Sequence, residues 1–136
     1  MKRLTTHLTQ GLDTVFAAHG LNAASFDVLA TLRRSGAPYA LTPSQLMDWT
    51  MVTSGTMTNR LDRLEAKGLV DRKKSAQDAR SVVVQLTVKG LDLINACVSD
   101  HVVNQNRMTE ALNAKEQEEL DRLLAKWLAA FEPPDD

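Results

Sequence analysis

The 136-residue chain is short of several residue types that would mark other kinds of protein. It has one cysteine, Cys97. A single thiol closes no intrachain disulfide and supplies no CxxC metal site. At mid-helix spacing it reads as a small core or interface residue. The three histidines, His7, His19 and His101, fall in no HxxxH or HxH pattern, so no metal site is expected. No window approaches eighteen uninterrupted apolar residues, which argues against a transmembrane helix. The opening MKRLTTHLTQ lacks the apolar run of a secretory signal, which predicts a cytoplasmic protein. GxSxG, the P-loop pattern and any Ser/His/Asp spacing are missing. Neither an enzyme nor a bound cofactor is therefore expected. Internal repeats and low-complexity linkers are absent too.

What remains is one domain's length of ordinary globular sequence, 43% hydrophobic and 24% charged. The net charge of −1 conceals an uneven distribution. Residues 54–80 carry seven bases (Arg60, Arg63, Lys67, Arg72, Lys73, Lys74, Arg80) against four acids. Residues 110–136 carry three bases against eight acids. A basic middle with an acidic end points to a localised anionic partner, although ordinary solvated charge would look similar.

The chain punctuates itself well. Leu4, Leu8, Leu12, Val15 and Phe16 recur at helical spacing, with Gly20 placed to stop the helix. Asn22 caps a second helix carrying Phe26, Val28, Leu29 and Leu32, which stops at Gly36. A short extended piece at 39–41 follows Pro38. Thr42-Pro43 opens a third helix through Leu46 and Trp49. Thr53 or Ser54 caps a fourth, which ends near Lys67 and Gly68. The period then changes, and residues 69–73 and 81–86 read as paired strands around a polar tip at 74–80. Thr87 caps a long fifth helix. Asn113 with Glu116 opens a sixth, which places Leu120, Leu123, Leu124, Trp127, Leu128 and Phe131 on one stripe. Both tryptophans read as packing residues, and 133–136 as a frayed end. The fold class is mainly α with a small β-hairpin, a winged helix-turn-helix followed by two extra helices.

The fourth helix carries the candidate chemistry. Met57, Leu61 and Leu64 share one face at i, i+4, i+7 and should bury it. Thr56, Arg60, Arg63 and Lys67 form a neighbouring stripe, and Ser54, Gly55, Thr58 and Asn59 cluster near the N-terminal end. A helix N-terminus favours phosphate. Arg pairs with guanine edges and Asn with adenine edges in the major groove. An ordinary amphipathic surface helix is the plain alternative. In the hairpin, Lys73, Lys74 and Arg80 surround a tip containing Asp78, a pattern suited to a phosphate or minor-groove probe. There Asp78 could orient the Arg80 guanidinium or serve only as a turn former.

From about residue 26 to residue 90 these stretches resemble the MarR family of bacterial winged-helix regulators. The resemblance is carried by FDVLATLRRSG, LTPSQL, TNRLDRLEAKGLV, the DARS tip at 78–81 and LTVKG at 86–90. It implies a homodimer that binds a double-stranded DNA operator, with no membrane association. It divides the chain into an N-terminal dimerisation helix at 1–20, a DNA-binding domain at 21–87 with its wing at about 69–86, and C-terminal dimerisation helices at 88–132. It places Ser54, Thr56, Thr58, Asn59, Arg60 and Arg63 in or beside the major groove and Arg80 at the wing tip. Lys73 and Lys74 would add phosphate contacts. The long apolar stripes of the last helices fit a divided dimer core; folding back as an intramolecular hairpin is the alternative.

Asp27, Arg60 and Arg72 further resemble the Asp/Arg/Arg set of the urate-responsive, PecS-like branch. That likeness implies a ligand or coupling role for the three and a small aromatic anion as effector. The branch also uses a Trp on an N-terminal helix, whereas no Trp here precedes Trp49. The chain starts about twenty residues later than most of the family, so either the first helix is short or the native start lies upstream. A structural ion pair from Asp27 to Arg60 or Arg72 is the simpler reading. The expectation is a ligand-responsive repressor. A winged-helix module that binds protein, or a ligand-binding dimer without DNA binding, are the rivals.

Overall fold

The structure is a computed structural model and describes residues 1–132. The expected frayed end at 133–136 lies outside the described residues. Six helices and three short strands follow one another as α1 (Lys2–Ala18), α2 (Ala23–Arg34), β1 (Ala40–Leu41), α3 (Pro43–Thr50), α4 (Ser54–Ala66), β2 (Val70–Lys74), β3 (Val82–Leu86), α5 (Val88–Met108) and α6 (Ala114–Leu128). Among the described residues no single helix is long and apolar enough to cross a membrane.

Local chemistry sets most of these boundaries. Asn22 accepts from the Ser25 N–H at 2.8 Å and starts α2. Thr42 and Gln45 form a reciprocal capping box around Pro43, as do Asn113 and Glu116 at α6. Thr53, not Ser54, caps α4, and Thr87 caps α5. Each such cap stabilises its helix by about 1 kcal/mol. Gly20, Gly36 and Gly68 take positive φ just beyond α1, α2 and α4, where a Cβ would be strained.

The hairpin gains a third strand. β3 is central, paired antiparallel with β2 from Val70↔Leu86 to Lys74↔Val82 and with β1 through Ala40↔Gln85 and Leu41↔Val84. The extended piece at 39–41 is drawn in because the Leu86 N–H donates to the Tyr39 carbonyl at 3.0 Å and the Gln85 side-chain amide to that of Pro38 at 3.0 Å. One face of this sheet closes the core with Val70, Val84 and Leu86. From the helices come Leu29, Leu32, Leu46, Met57, Leu61, Leu64 and Ile94. Cys97 is fully buried there, as its position suggested.

One approach is especially tight. A Cβ on Gly90 would lie 2.0 Å from the Leu69 carbonyl oxygen. The start of α5 is pinned there by Thr87, whose N–H donates to that carbonyl at 3.1 Å and whose Oγ1 donates to Gly68 O at 2.7 Å. Gly90→Ala is expected to destabilise the fold by about 1–3 kcal/mol, read as a lower denaturant midpoint. An unchanged midpoint would mean that the α5 start can slide off β2.

Where α1, α2 and α5 meet, Phe16 stacks on Phe26 with ring centroids 4.3 Å apart, and His101 lies 5.5 Å and 4.9 Å from them. The His101 Nδ1 is buried without a partner. Burial pushes this imidazole below its ordinary range, because desolvation disfavours the charged ring, which must carry a proton at the unpartnered Nδ1. The unfolded chain then takes up the proton first. Stability is expected to fall as pH drops through about 6.5 and below. His101→Phe should flatten that slope in thermal melts between pH 7 and pH 5, and parallel slopes in the two proteins would refute the assignment.

Trp49 is 64% exposed and Trp127 49% exposed, so neither packs into the protomer core, and Trp127 lies on the open stripe of α6. Trp49 sits in the last turn of α3, on the opposite flank from the inward-facing Met47. Helix α6 buries none of its residues, and the fold-back of α6 onto α5 is not found. Its apolar stripe stands open, alongside exposed Leu4, Leu8, Val102 and Val103 on α1 and α5.

Candidate nucleic-acid interface

Helix α4 is held from below by Met57, Leu61 and Leu64, all at most 2% exposed. This leaves Ser54, Thr56, Thr58, Asn59 and Arg63 exposed and Arg60 half-buried. At its N-terminus the Thr53 Oγ1 accepts from the Thr56 N–H at 3.4 Å and donates to the Thr56 hydroxyl at 3.0 Å. The Thr58 Oγ1 donates to Ser54 O at 3.0 Å. Asn59 and Arg63 make no side-chain hydrogen bond among the described residues, so their polar groups are available to a partner. The exposed side of α4 is Thr, Asn and Arg, whereas a protein-docking helix would need an apolar face.

Arg60 and Asp27 are neighbours without an ion pair. The Arg60 Nη1 is shut off from solvent and has no partner among the described residues. Burial raises the Asp27 carboxyl above its ordinary range, opposed by the nearby charges of Arg60 and Arg34. Arg72 belongs elsewhere. From β2 it donates through Nε to Glu65 at 2.6 Å and through Nη2 to Asp62. Glu65 and then Asp62 keep its guanidinium firmly protonated. At 100° per residue these two acids lie roughly 140–160° around α4 from Arg60. The structure therefore does not gather Asp27, Arg60 and Arg72 into one site, and the expected structural ion pair of Asp27 is not formed. Arg72 instead ties the wing to α4. An acid pair at i, i+3 was the signal for this clamp, but only the strand register shows which base it meets.

The wing tip spans residues 75–81. Its ends close through the Ser75 N–H to Ser81 O at 2.8 Å and the Ser81 N–H to Asp78 O at 3.0 Å. Asp78 accepts from the Arg80 backbone N–H at 3.0 Å and from the Ser81 hydroxyl at 3.1 Å. This corrects the expected contact with the Arg80 guanidinium. The carboxylate shapes the backbone because a residue two places on presents its amide, not its side chain, to an Asx turn. The Lys73, Lys74 and Arg80 side chains are exposed around that tip.

A cleft of about 220 Å³ runs between the first turn of α2 and α4, lined by Ala24, Thr56, Asn59, Arg60 and Arg63. Sequence reasoning missed Ala24, which carries no motif of its own.

The family model described as MarR family matches residues 19–81. The chain is 42% identical over 126 residues to the HTH-type transcriptional regulator PecS of Dickeya dadantii, covering 93% of this chain and 76% of PecS. Among solved structures it resembles a cysteine-to-serine variant of Escherichia coli MarR complexed with operator DNA. There the TM-score is 0.81 and the identity 30%, over 93% of this chain and 89% of that one. AbsC from Streptomyces coelicolor shares the fold at TM-score 0.84 and 23% identity, over 96% of this chain and 88% of its own. These relatives are regulators and not enzymes. With the helix-turn-helix, the wing and this likeness together, the chain belongs to the MarR family of transcriptional regulators.

Proposed function

We propose that the chain is a homodimeric, cytoplasmic repressor that binds a palindromic operator and releases it when a small aromatic anion binds. The observation that carries this is the exposed, unpaired polar face of α4 beside a wing whose tip Asp78 holds open. In this reading α4 enters the major groove of each half-site, with the two half-sites about one helical turn apart. Asn59, Arg60 and Arg63 read base edges. Ser54, Thr56 and Thr58 sit at the phosphate-facing N-terminal end, while Lys73, Lys74 and Arg80 grip the flanking backbone. The open stripe of α6, continued by α1 and α5, is the dimer surface, since a half-core of this kind is stable only when covered. Asp27 and Arg60 are the residues through which an effector would act. Arg72 contributes by fixing the wing to α4. A ligand coupling of roughly 1–3 kcal/mol would change DNA affinity about 5–150-fold.

The test is fluorescence anisotropy on duplex DNA from the region upstream of the chain's own gene, against a scrambled duplex, at several salt concentrations and with urate titrated in. A clear preference for the native duplex supports the reading, and equal weak binding to both opposes it. In the same assay Lys74→Ala is expected to weaken binding to all duplexes and to reduce the log–log salt slope by about 0.9, the share of one phosphate. An unchanged slope would remove the wing contact.

A further inference from the structure

We infer that Met51, in the turn between α3 and α4, is a base-reading residue whose side chain packs on a thymine C5-methyl group in the major groove. The inference rests on the regulator reading above and adds an apolar contact to its polar ones.

Met51 closes α3 in the left-handed region, with φ 54° and ψ 40°. Just beyond α1, α2 and α4 the residue at positive φ is a glycine, Gly20, Gly36 and Gly68, which adopts it without steric cost. A side chain at such a position strains the backbone. The cap of α3 does not need that side chain. The Met51 N–H donates to the Met47 carbonyl at 2.8 Å, and a glycine would donate as well. The core does not need it either, since Met51 is 77% exposed. Tyr39, the other non-glycine residue at positive φ among the described residues, packs half-buried against the core. Strain at Tyr39 is offset inside the protomer, and strain at Met51 is not. A strained residue whose side chain serves nothing in its own protomer points to a contact outside it.

The turn is anchored on both sides of this residue. Before it, the Thr50 hydroxyl donates to the Leu46 carbonyl at 2.6 Å. After it, Val52 packs against the core and Thr53 caps α4. Met51 therefore lies within about 8 Å, Cα to Cα, of the N-cap of the helix assigned to the groove. From α2 to β3 the exposed large apolar residues are Trp49, Met51 and Val82. They belong to the turn before α4 and to the wing, apart from the open stripe of α1, α5 and α6. The group that a major groove offers to an apolar side chain is the thymine methyl. A flexible thioether chain packs on such a methyl without one fixed approach. A phosphate would call for Lys or Arg at this position instead.

The test uses the full chain and two forms of its native upstream duplex. One is unmodified, and in the other every thymine is replaced by deoxyuridine, which lacks only the C5-methyl. Burying one methyl group changes Kd about fourfold, and about fifteenfold when a two-fold complex makes the contact twice. The ratio of Kd on the deoxyuridine duplex to Kd on the thymine duplex is expected to be about fifteenfold smaller for Met51→Gly than for wild type. Met51→Leu, which keeps an apolar side chain, should retain most of the wild-type ratio. Met51→Gly should also melt at or above the wild-type temperature, because glycine suits the left-handed turn, so a lost contact is not mistaken for a lost fold. Equal ratios in wild type and Met51→Gly would overturn the proposal, whether or not both affinities fall. It would also be overturned if Trp49→Ala lowered the ratio and Met51→Gly did not, since the methyl contact would then belong to α3. If wild type binds native and scrambled duplexes alike, the regulator reading falls and takes this contact with it. A native preference with equal ratios sinks the contact alone.

Discussion

Arg63→Ala is expected to abolish most of the discrimination between operator and scrambled duplex while the fold is retained. Arg63 is exposed, and no side-chain hydrogen bond holds it among the described residues. Its loss therefore costs the folded state almost nothing, in contrast to truncation of a buried arginine. A bidentate contact to guanine contributes about 1–3 kcal/mol of discrimination, and a two-fold symmetric complex would lose it twice. The operator Kd should rise by about one to four orders of magnitude, and the scrambled-duplex Kd by much less. The check is anisotropy on both duplexes together with a thermal melt. A uniform loss on both would reassign Arg63 to the phosphate backbone. No loss on either would remove it from the interface.

Leu124→Glu should have the larger effect on assembly. Leu124 is half-exposed in the middle of an α6 stripe that also presents Leu120, Leu123, Trp127 and Leu128. In an isologous interface the substitution is present twice, so two carboxylates would enter one apolar seam already flanked by Glu118, Glu119 and Asp121. Burying an unpaired charge costs several kcal/mol, more than a surface of this size can absorb. The variant should sediment as a monomer. Because linked half-sites gain affinity through effective concentration, operator binding should drop about 10²-fold or more. Far-UV circular dichroism is expected to change little, since α6 packs against little of its own protomer. A variant that stays dimeric would show that the two copies meet on another face.

The two predictions draw on different levels of the chain. The exposure of Arg63 was legible in the order of residues. Met57, Leu61 and Leu64 at i, i+4, i+7 dictate which side of α4 is buried, and Arg63 must then point out. The caps at Asn22, Thr42, Thr87 and Asn113 were legible for the same reason, because a cap is a contact between residues three apart. Even the standing apart of α6 was foreshadowed by an apolar stripe too long for so small a core.

The site itself was only half legible. Arg72 was grouped with Asp27 and Arg60 by residue type and separation, and in the fold it faces the opposite flank of α4. Nothing local encodes that choice. It follows from the antiparallel register that sets Val70 against Leu86 and brings β2 past Asp62 and Glu65. Asp78 was rightly placed at the wing tip, yet its partner is the Arg80 amide, because a tight turn offers backbone before side chain. Trp49 read as a packing residue, and the direction in which α3 packs leaves it exposed on the protomer.

Local order along the chain, then, was sufficient for the elements, their caps, the buried face of α4 and the family. These depend on interactions within a few residues and on periodicity. The third strand at β1, the Arg72 clamp and the α2–α4 cleft that unites Ala24 with Arg60 and Arg63 depend on residues tens of positions apart. Only the packing of the helices around β3 brings those together, because distance in space between such groups is set by the shared core and not by their separation in sequence.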